Sequence, residues 1–180
     1  MGPSPTPTGP SPSAVRVVLL CGPAGSGKST AARCLEREGF ARLSFDEEAW
    51  GRGHRTHPLA RPVAEEVAAT LRGRLVALVR AGVDVVVDSS FWSRGARDEY
   101  RRLLDPLGVT PVTYYLATPR AVALGRVASR RNTGPHDLVL PDGLAEAYID
   151  GFEVPTAAEG PLRILTGADD DGAVGRPAGW

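Results

Sequence analysis

The sequence contains a single lysine, Lys28, and the other 20 of its 21 basic residues are arginine. Acidic residues also number 21, so the formal net charge is zero and gives no general attraction to nucleic acid or to an anionic membrane. Aromatic residues make up only 6%, which counts against a long groove that stacks successive bases. No run approaches the roughly 18 apolar residues of a transmembrane helix. We therefore expect a soluble protein that recognises its partner locally.

Cysteine is also scarce. Cys21 and Cys34 are too few for a disulfide framework, and both lie in apolar surroundings, which favours reduced core thiols over a bridge or a metal site. Residues 1–14 lack the basic and apolar regions of a signal peptide. These features predict a cytoplasmic protein, and they leave its oligomeric state open.

The length of 180 residues predicts one domain with a sizeable core. The first 14 residues are rich in proline, serine and threonine, and the last 14 are rich in glycine and aspartate. Such segments cannot bury enough surface to offset the entropy lost on ordering. We predict flexible tails at 1–14 and 167–180 around a folded body at 15–166.

The hydrophobic pattern of the body alternates between strands and helices. Apolar runs predict strands at 15–20, 40–45, 83–88, 109–117 and 162–167. Helical spacing predicts helices at 27–38, 62–81, 94–104, 119–131 and 144–148, with Ser93 as an N-cap. Such alternation indicates an α/β fold of three layers around a parallel sheet. Ligands of these sheets bind beyond the carboxyl ends of the strands, where Lys28, Asp46 and Asp88 fall.

The lysine belongs to a phosphate-binding motif. Residues 22–29, GPAGSGKS, fit G-x-x-x-x-G-K-[S/T] directly after a strand and at the start of a helix. Glycines let backbone amides turn inward around an anion, and lysine is a compact charge that reaches between two phosphates where the wide arginine fork does not fit. We predict nucleotide contacts from Gly22, Ala24, Gly25, Ser26, Gly27, Lys28, Ser29 and Thr30, a catalytic role for Lys28, and Mg²⁺ binding through the Ser29 hydroxyl.

Two aspartates follow predicted strands. Phosphoryl transfer to an alcohol needs a carboxylate near the acceptor hydroxyl and an acidic group near the metal. We predict that Asp46 is the base on the acceptor side, with Glu47 or Glu48 as the fallback. We assign Asp88 to the metal shell or to orienting the acceptor. The simpler alternative for both aspartates is a cap or turn residue.

Arginines follow the fourth strand. Arg126 and Arg130 are four residues apart on one predicted helix face and could close over the triphosphate as a catalytic lid, with Arg126 also contacting the nucleotide. The alternative is a solvated helix end, where cations suit the helix dipole. Arg97, with Arg94, is a candidate for an anionic group on the acceptor.

Other candidates are weaker. His54 and His57 lack a third metal ligand, so a loop surface or an acceptor contact is favoured. Trp50, Phe91 and Trp92 could form a wall of the acceptor pocket or simply belong to the core.

Further motifs narrow the class of P-loop protein. A GTPase reads guanine with an Asn-Lys-x-Asp segment, for which the chain has no second lysine, and ring ATPases need a longer module. The segments GPAGSGKST, LSFDEEAW, VVVDSSFWSRGAR, YYLATPRAVALGRVASRR and FEVPTAAEG, in this order, resemble the small P-loop kinases described as predicted kinases. These are related to the phage polynucleotide kinase domain, the chloramphenicol phosphotransferases and the zeta toxins.

The resemblance implies a sheet of order 2-3-1-4-5 and transfer of the γ-phosphoryl group of ATP to a hydroxyl. It places Asp46 as the base on the acceptor side, Asp88 as the acidic residue after strand three, and Arg126 and Arg130 in the lid. We predict a kinase dependent on ATP and Mg²⁺ that acts on a small molecule, such as an antibiotic or another specialised metabolite. The alternatives are a polynucleotide 5′-hydroxyl kinase and a non-enzymatic regulatory protein that binds ATP.

Overall fold

The computed structural model of the chain describes residues 14–129, 140–141 and 143–166. The predicted tails lie outside these ranges apart from Ala14. The strands are β1 Val17–Cys21, β2 Ala41–Ser44, β3 Val85–Asp88, β4 Val112–Ala117 and β5 Leu162–Thr166. The helices are α1 Lys28–Arg37, α2 Phe45–Gly51, α3 Arg61–Arg80, α4 Arg94–Leu104, α5 Arg120–Ala128 and α6 Leu144–Asp150, with short 3-10 turns at Asp105–Leu107 and Ala157–Glu159.

The five strands form one parallel sheet in the order β2-β3-β1-β4-β5. This order confirms the predicted P-loop fold. Because β1 lies at the centre, the loop that follows it opens at the carboxyl edge between β3 and β4. Asp88, the last residue of β3, pairs with Leu20 of β1 and therefore lies beside the phosphate-binding motif.

The central strands β1 and β3 are buried on both faces, as their uninterrupted apolar runs predict, whereas the edge strand β5 is partly exposed. Val17 and Leu19 of β1 pack against α3 and α4, while Val18 and Leu20 face α1. From the helices, Leu71, Leu75 and Leu104 close the first core, and Ala32 and Leu35 close the second. The result is the expected three-layer arrangement. Within the described part of the chain, no helix has both the length and the apolar character needed to cross a lipid bilayer.

One helix was not predicted. The second strand ends at Ser44 rather than at Phe45, and Asp46 lies in the first turn of α2 instead of at a strand end. The Ser44 hydroxyl accepts a hydrogen bond from the Glu47 amide at 3.3 Å and so caps the new helix. The spacing S-x-x-E at 44–47 is the sequence signal that indicates such a start. The other predicted cap is confirmed, because the Ser93 hydroxyl accepts from the Ala96 amide at 3.2 Å.

Candidate active site

The loop between β1 and α1 has the shape of an anion-binding cradle. Gly25 has φ +77°, and a Cβ there would collide with the backbone carbonyl of Ala123, so only glycine fits. Gly27 has φ +97° and its carbonyl accepts the amides of both Thr30 and Ala31. Helical bonding therefore begins at Thr30, and the amides of Lys28 and Ser29 lie ahead of it at the positive end of the helix dipole. The cradle suits a phosphate group.

The loop is held from three sides. The Thr118 hydroxyl donates to the Ser26 carbonyl at 2.9 Å, and the Gly22 amide donates to the Ser90 carbonyl at 3.2 Å. Lys28 Nζ donates to the Gly22 and Pro23 carbonyls, both at 2.9 Å, so its ammonium lies across the loop. Gly22 and Ser26, which were both predicted to contact the nucleotide, do not line the cavity in front of the loop.

A cavity of about 660 Å³ joins the loop to the predicted catalytic residues. Its walls contain most of the predicted site, namely Ala24, Gly25, Gly27, Lys28, Ser29, Thr30, Asp46, Asp88 and Arg126. These residues come from α1, α2, β3 and α5 and from the loop after β1. The parallel order brings them to one edge of the sheet, as predicted.

Asp46 has a partner that the sequence did not indicate. His57, in the loop before α3, places Nε2 3.1 Å from Asp46 Oδ1, and both residues line the cavity. The Asp46 side chain is 38% exposed and that of His57 is 18% exposed. The carboxylate is thus fixed at the cavity wall with an imidazole beside it. Asp46 and His57 are 11 positions apart in different elements, and neither a motif nor a periodic spacing links them. The sequence therefore held no signal for this contact.

Glu47 and Glu48, the fallback bases, are engaged elsewhere. Glu47 pairs with Arg42 at 3.0 Å, and Glu48 pairs with Arg52 at 3.0 Å and with Arg74 at 3.2 Å. Neither glutamate lines the cavity, whereas Asp46 does. Of these three neighbours in α2, Asp46 is the carboxylate that lines the cavity.

Asp88 is buried and ion-paired. Arg42, on the neighbouring strand β2, places Nη2 3.1 Å and Nε 3.3 Å from Asp88 Oδ2. Only 5% of the Arg42 side chain and 4% of the Asp88 side chain are exposed. The same guanidinium bonds Glu47, so Arg42 links the end of β3 to α2. Sequence reasoning missed Arg42, and its one signal is a charged residue inside a short strand.

Arg126 lies over the phosphate-binding loop. Its Nη1 is 3.5 Å from the Gly25 carbonyl, and a Cβ on Gly27 would lie 3.6 Å from the same nitrogen. The guanidinium is therefore close to the position that outer phosphates would take. The second predicted lid residue, Arg130, lies outside the described residues, as does Arg131.

With this geometry established, the comparisons with known proteins identify the family. A family model described as an AAA domain matches residues 17–155. The chain belongs to this family. The match spans the loop, both aspartates and Arg126, so the predicted resemblance to small P-loop kinases is confirmed in family and fold. The curated proteins contain no match.

Solved structures share the AAA-domain fold of this chain. A sugar kinase from Janibacter sp. HTCC2649 is 23% identical with a TM-score of 0.61, covering 84% of this chain and 85% of its own. The APS kinase CysC of Mycobacterium tuberculosis, in complex with AMPPNP and APS, is 19% identical with a TM-score of 0.62, covering 86% and 89%. The Pnkp1/Rnl/Hen1 RNA repair complex is 18% identical with a TM-score of 0.66, covering 76% and 43%. At these identities the likeness establishes the fold.

Arg97 occupies a different place in this AAA domain from the one predicted. Its side chain is completely buried and does not line the cavity. Nε and Nη2 donate to the Glu159 carboxylate at 2.7 and 2.9 Å, while Nη1 donates to the carbonyls of Phe91 and Glu153, each at 2.9 Å. The prediction that Arg97 contacts the acceptor is therefore wrong, and the side chain has a structural role instead. The bonds from Arg97 hold the pKa of Glu159 down at about 2.

The remaining candidates divide between the cavity and other surfaces. Phe91 and Trp92 line the cavity, whereas Trp50 does not and instead lies under the Arg55 guanidinium, 4.0 Å from its ring centre. Cys21 is a buried free thiol, and burial raises its pKa to about 11. An unreactive core thiol is what its apolar surroundings predict.

The oxygen ligands present fit a magnesium ion shared with nucleotide phosphates. Within the described residues no group of three or more acidic, histidine or cysteine side chains could hold a metal by itself. Mg²⁺ in phosphate-binding loops takes few protein ligands, because phosphate oxygens and water supply the others. The Ser29 hydroxyl and the Asp88 carboxylate both lie in the cavity wall and are the hard oxygen donors that Mg²⁺ prefers.

Proposed function

We propose that the protein is a kinase that transfers the γ-phosphoryl group of ATP to a hydroxyl of a small molecule. The observation that carries the proposal is the cavity, which has Lys28 and the phosphate-binding loop on one side and the Asp46–His57 pair on the other. A donor phosphate and an acceptor hydroxyl can meet only where such groups share one space.

Each residue has a defined task in the proposed reaction. The loop amides and Lys28 bind the outer phosphates, and Arg126 places its positive charge beside the transferring phosphoryl group. Asp46 accepts the proton of the acceptor hydroxyl as its oxygen forms the new bond to phosphorus, while the bond from phosphorus to the leaving ADP breaks. His57 holds the carboxylate in place. Mg²⁺, when bound through Ser29 and Asp88, neutralises charge on the phosphates.

The shape and charge of the described residues favour a small acceptor over a polynucleotide. Many arginines are neutralised by neighbouring carboxylates, including Arg16, Arg42, Arg52, Arg72 and Arg97. A groove for a nucleic-acid backbone needs cations that are available to phosphates. The structural likeness to the Pnkp1/Rnl/Hen1 complex nevertheless keeps a 5′-hydroxyl polynucleotide kinase as the second candidate.

Transfer of labelled phosphate from ATP tests the proposal. The full chain is incubated with Mg²⁺, labelled ATP and panels of alcohols, sugars, nucleosides and oligonucleotides with free 5′-hydroxyls. We expect a labelled small molecule, and we expect Asp46→Asn to lower kcat by at least 100-fold with ATP affinity retained. Asp105→Asn, the same change in an exposed turn at the far end of α4, is the matched control. Label only on oligonucleotides would favour the second candidate. ATP binding without transfer to any compound would favour a regulatory protein.

A further inference from the structure

Part of the cavity lining comes from the helices α3, α4 and α6 and from the segments next to them. We call it the acceptor chamber. Its walls come from one face of α3, from the start of α4 and from the region of α6, and they comprise Leu59, Ala64, Ala68, Arg72, Phe91, Trp92, Ala96, Glu99, Tyr100, Ala147, Tyr148 and Phe152. This lining differs from that of the phosphate side, where Lys28, Arg33 and Arg126 contribute cations.

Small side chains make room in the acceptor chamber. Ala64 and Ala68 are four residues apart and so lie on the same face of α3, one turn above the other. Ala96 of α4 and Ala147 of α6 face the same space. An alanine side chain has no hydrogen-bonding group, so these four side chains offer no partner to the hydroxyls of a sugar or polyol.

Most of the remaining lining residues are aromatic. Trp92 is 57% exposed and Tyr148 is 39% exposed, although both are large and both line the chamber. The main chain at Trp92 is tied to the segment after α6, because the Trp92 carbonyl accepts the Glu153 amide at 2.9 Å. Exposed aromatic rings on the rim of a concave site favour a flat apolar ligand, since they lose water and gain stacking contacts when it binds.

The charged groups of the acceptor chamber are paired with each other. Arg72 Nη1 lies 2.9 Å from Glu99 Oε1 across the gap between α3 and α4. Asp46 and His57 form the other pair at the entrance. Each hydroxyl of a polyol that is buried here without a partner would lose its hydrogen bonds to water, which disfavours such ligands.

We propose that the acceptor is a neutral, largely apolar alcohol that carries an aromatic ring, with its hydroxyl at Asp46 and its ring against Trp92 and Tyr148. This inference rests on the proposed kinase activity for the reaction itself. The acceptor hydroxyl loses its proton to Asp46 and its oxygen bonds to the γ-phosphorus, while the bond to the bridging oxygen breaks and ADP leaves.

The test compares 3-phenyl-1-propanol with gluconate, adenosine and a 5′-hydroxyl oligonucleotide, using the full chain. Calorimetry in the presence of AMPPNP and Mg²⁺ measures binding, and labelled ATP measures transfer. We expect the aryl alcohol to bind with a negative heat-capacity change and to accept phosphate with a kcat/KM at least tenfold above that of each other compound. Ala68→Trp fills the chamber and should weaken aryl alcohol binding at least tenfold while AMPPNP affinity stays within twofold. Ala69→Trp, on the exposed neighbouring position of α3, is the control and should change neither.

The outcomes separate this inference from the proposed function. Tight binding of the aryl alcohol without phosphate transfer would overturn the kinase proposal and leave the ligand class standing. Phosphorylation of gluconate, adenosine or the oligonucleotide in preference to the aryl alcohol would overturn the ligand class and leave the kinase. Equal effects of Ala68→Trp and Ala69→Trp on binding would also overturn the acceptor chamber as its site, and absence of both binding and transfer would overturn both proposals.

Discussion

Replacement of Glu159 by glutamine tests the most deeply buried ion pair of the fold. Glu159 ends the 3-10 turn Ala157–Glu159, and its carboxylate meets the Arg97 guanidinium at 2.7 Å with 0% of the arginine and 3% of the glutamate side chain exposed. Arg101 lies 3.4 Å from the same carboxylate. Glutamine keeps the size and one acceptor oxygen, so the substitution removes the charge and replaces one of the two oxygens that accept from Arg97 with an NH₂ group that cannot accept. Arg97 is then left as a buried cation without a counter-charge.

The loss can be estimated in two ways. Breaking a buried pair by removing one partner destabilises a protein by roughly 3–5 kcal/mol. Independently, the pKa of Glu159 is lowered from 4.5 to about 2 by the bonds from Arg97. A difference of about 2.5 pKa units corresponds to roughly 3 kcal/mol of stability. For a domain of this size such a loss lowers Tm by about 6–20 °C.

Thermal and urea unfolding at pH 7 measure the effect. The control is Glu65→Gln, because Glu65 pairs with Arg61 at 2.8 Å on the surface, with 90% of the arginine and 64% of the glutamate exposed. An exposed pair contributes roughly 0–1 kcal/mol, so we expect little change there. Because Arg97 also bonds the carbonyls of Phe91 and Glu153, Glu159→Gln should raise the KM for the acceptor more than that for ATP. Equal Tm values for the two variants would refute the reasoning.

The pH dependence gives a second check on the same pair. The folded protein holds the Glu159 pKa at about 2, below its ordinary value of 4.5. The contribution of the carboxylate is therefore complete above about pH 5 and declines as the pH falls from 4.5 towards 2. The stability difference between the wild-type protein and Glu159→Gln should be constant from pH 8 to 5 and shrink below pH 4.5. A difference that grew on acidification would contradict this assignment.

Three further substitutions test the nucleotide side of the site. Gly25→Ala places a Cβ against the Ala123 carbonyl at φ +77° and should weaken ATP binding at least tenfold in titration calorimetry. The control is Gly73→Ala, in open space on α3, which should leave ATP binding unchanged and raise Tm slightly. Lys28→Arg keeps the charge but not the shape, so phosphate transfer should fall at least 100-fold with little change in Tm. Ser44→Ala removes the cap of α2 and should cost about 1 kcal/mol in urea unfolding, and it should lower kcat because Asp46 lies in the first turn. An unchanged kcat would show that the position of Asp46 does not depend on the Ser44 cap.

What could be predicted from the sequence depended on how far apart the informative residues lie. The phosphate-binding loop, Lys28 included, is one contiguous stretch, and the chemistry of binding phosphate specifies nearly every position in it. The Ser93 cap is equally local. Strand order followed from the alternation of elements together with the family resemblance. Asp46 does line the cavity, although the structure places it in a helix rather than at a strand end, and its role as the base stays a prediction.

The pairs that could not be predicted join residues from distant elements. His57 meets Asp46 only because the loop before α3 returns to the start of α2, and Arg97 meets Glu159 across 62 residues. The sequence therefore suggested that Arg97 is a cation available to the acceptor, whereas its side chain is fully buried in the structure. The position of a charged side chain in the fold cannot be deduced until its partner is known, because packing between distant elements determines that partner.

Arg42 shows where the limit lies. Strands β2 and β3 are parallel with Ser44 beside Asp88 and Arg42 beside Val86, so Arg42 and Asp88 belong to the same face of adjacent strands. Once the order 2-3-1-4-5 is accepted, a charge at 42 on a buried face requires an acidic partner, and the aspartate at the end of β3 is within reach. Other arginines of the described residues are likewise paired with carboxylates, among them Arg16, Arg52, Arg72 and Arg97. The Lys28 ammonium donates to two backbone carbonyls of the loop, at the wall of the cavity where we propose that a triphosphate binds.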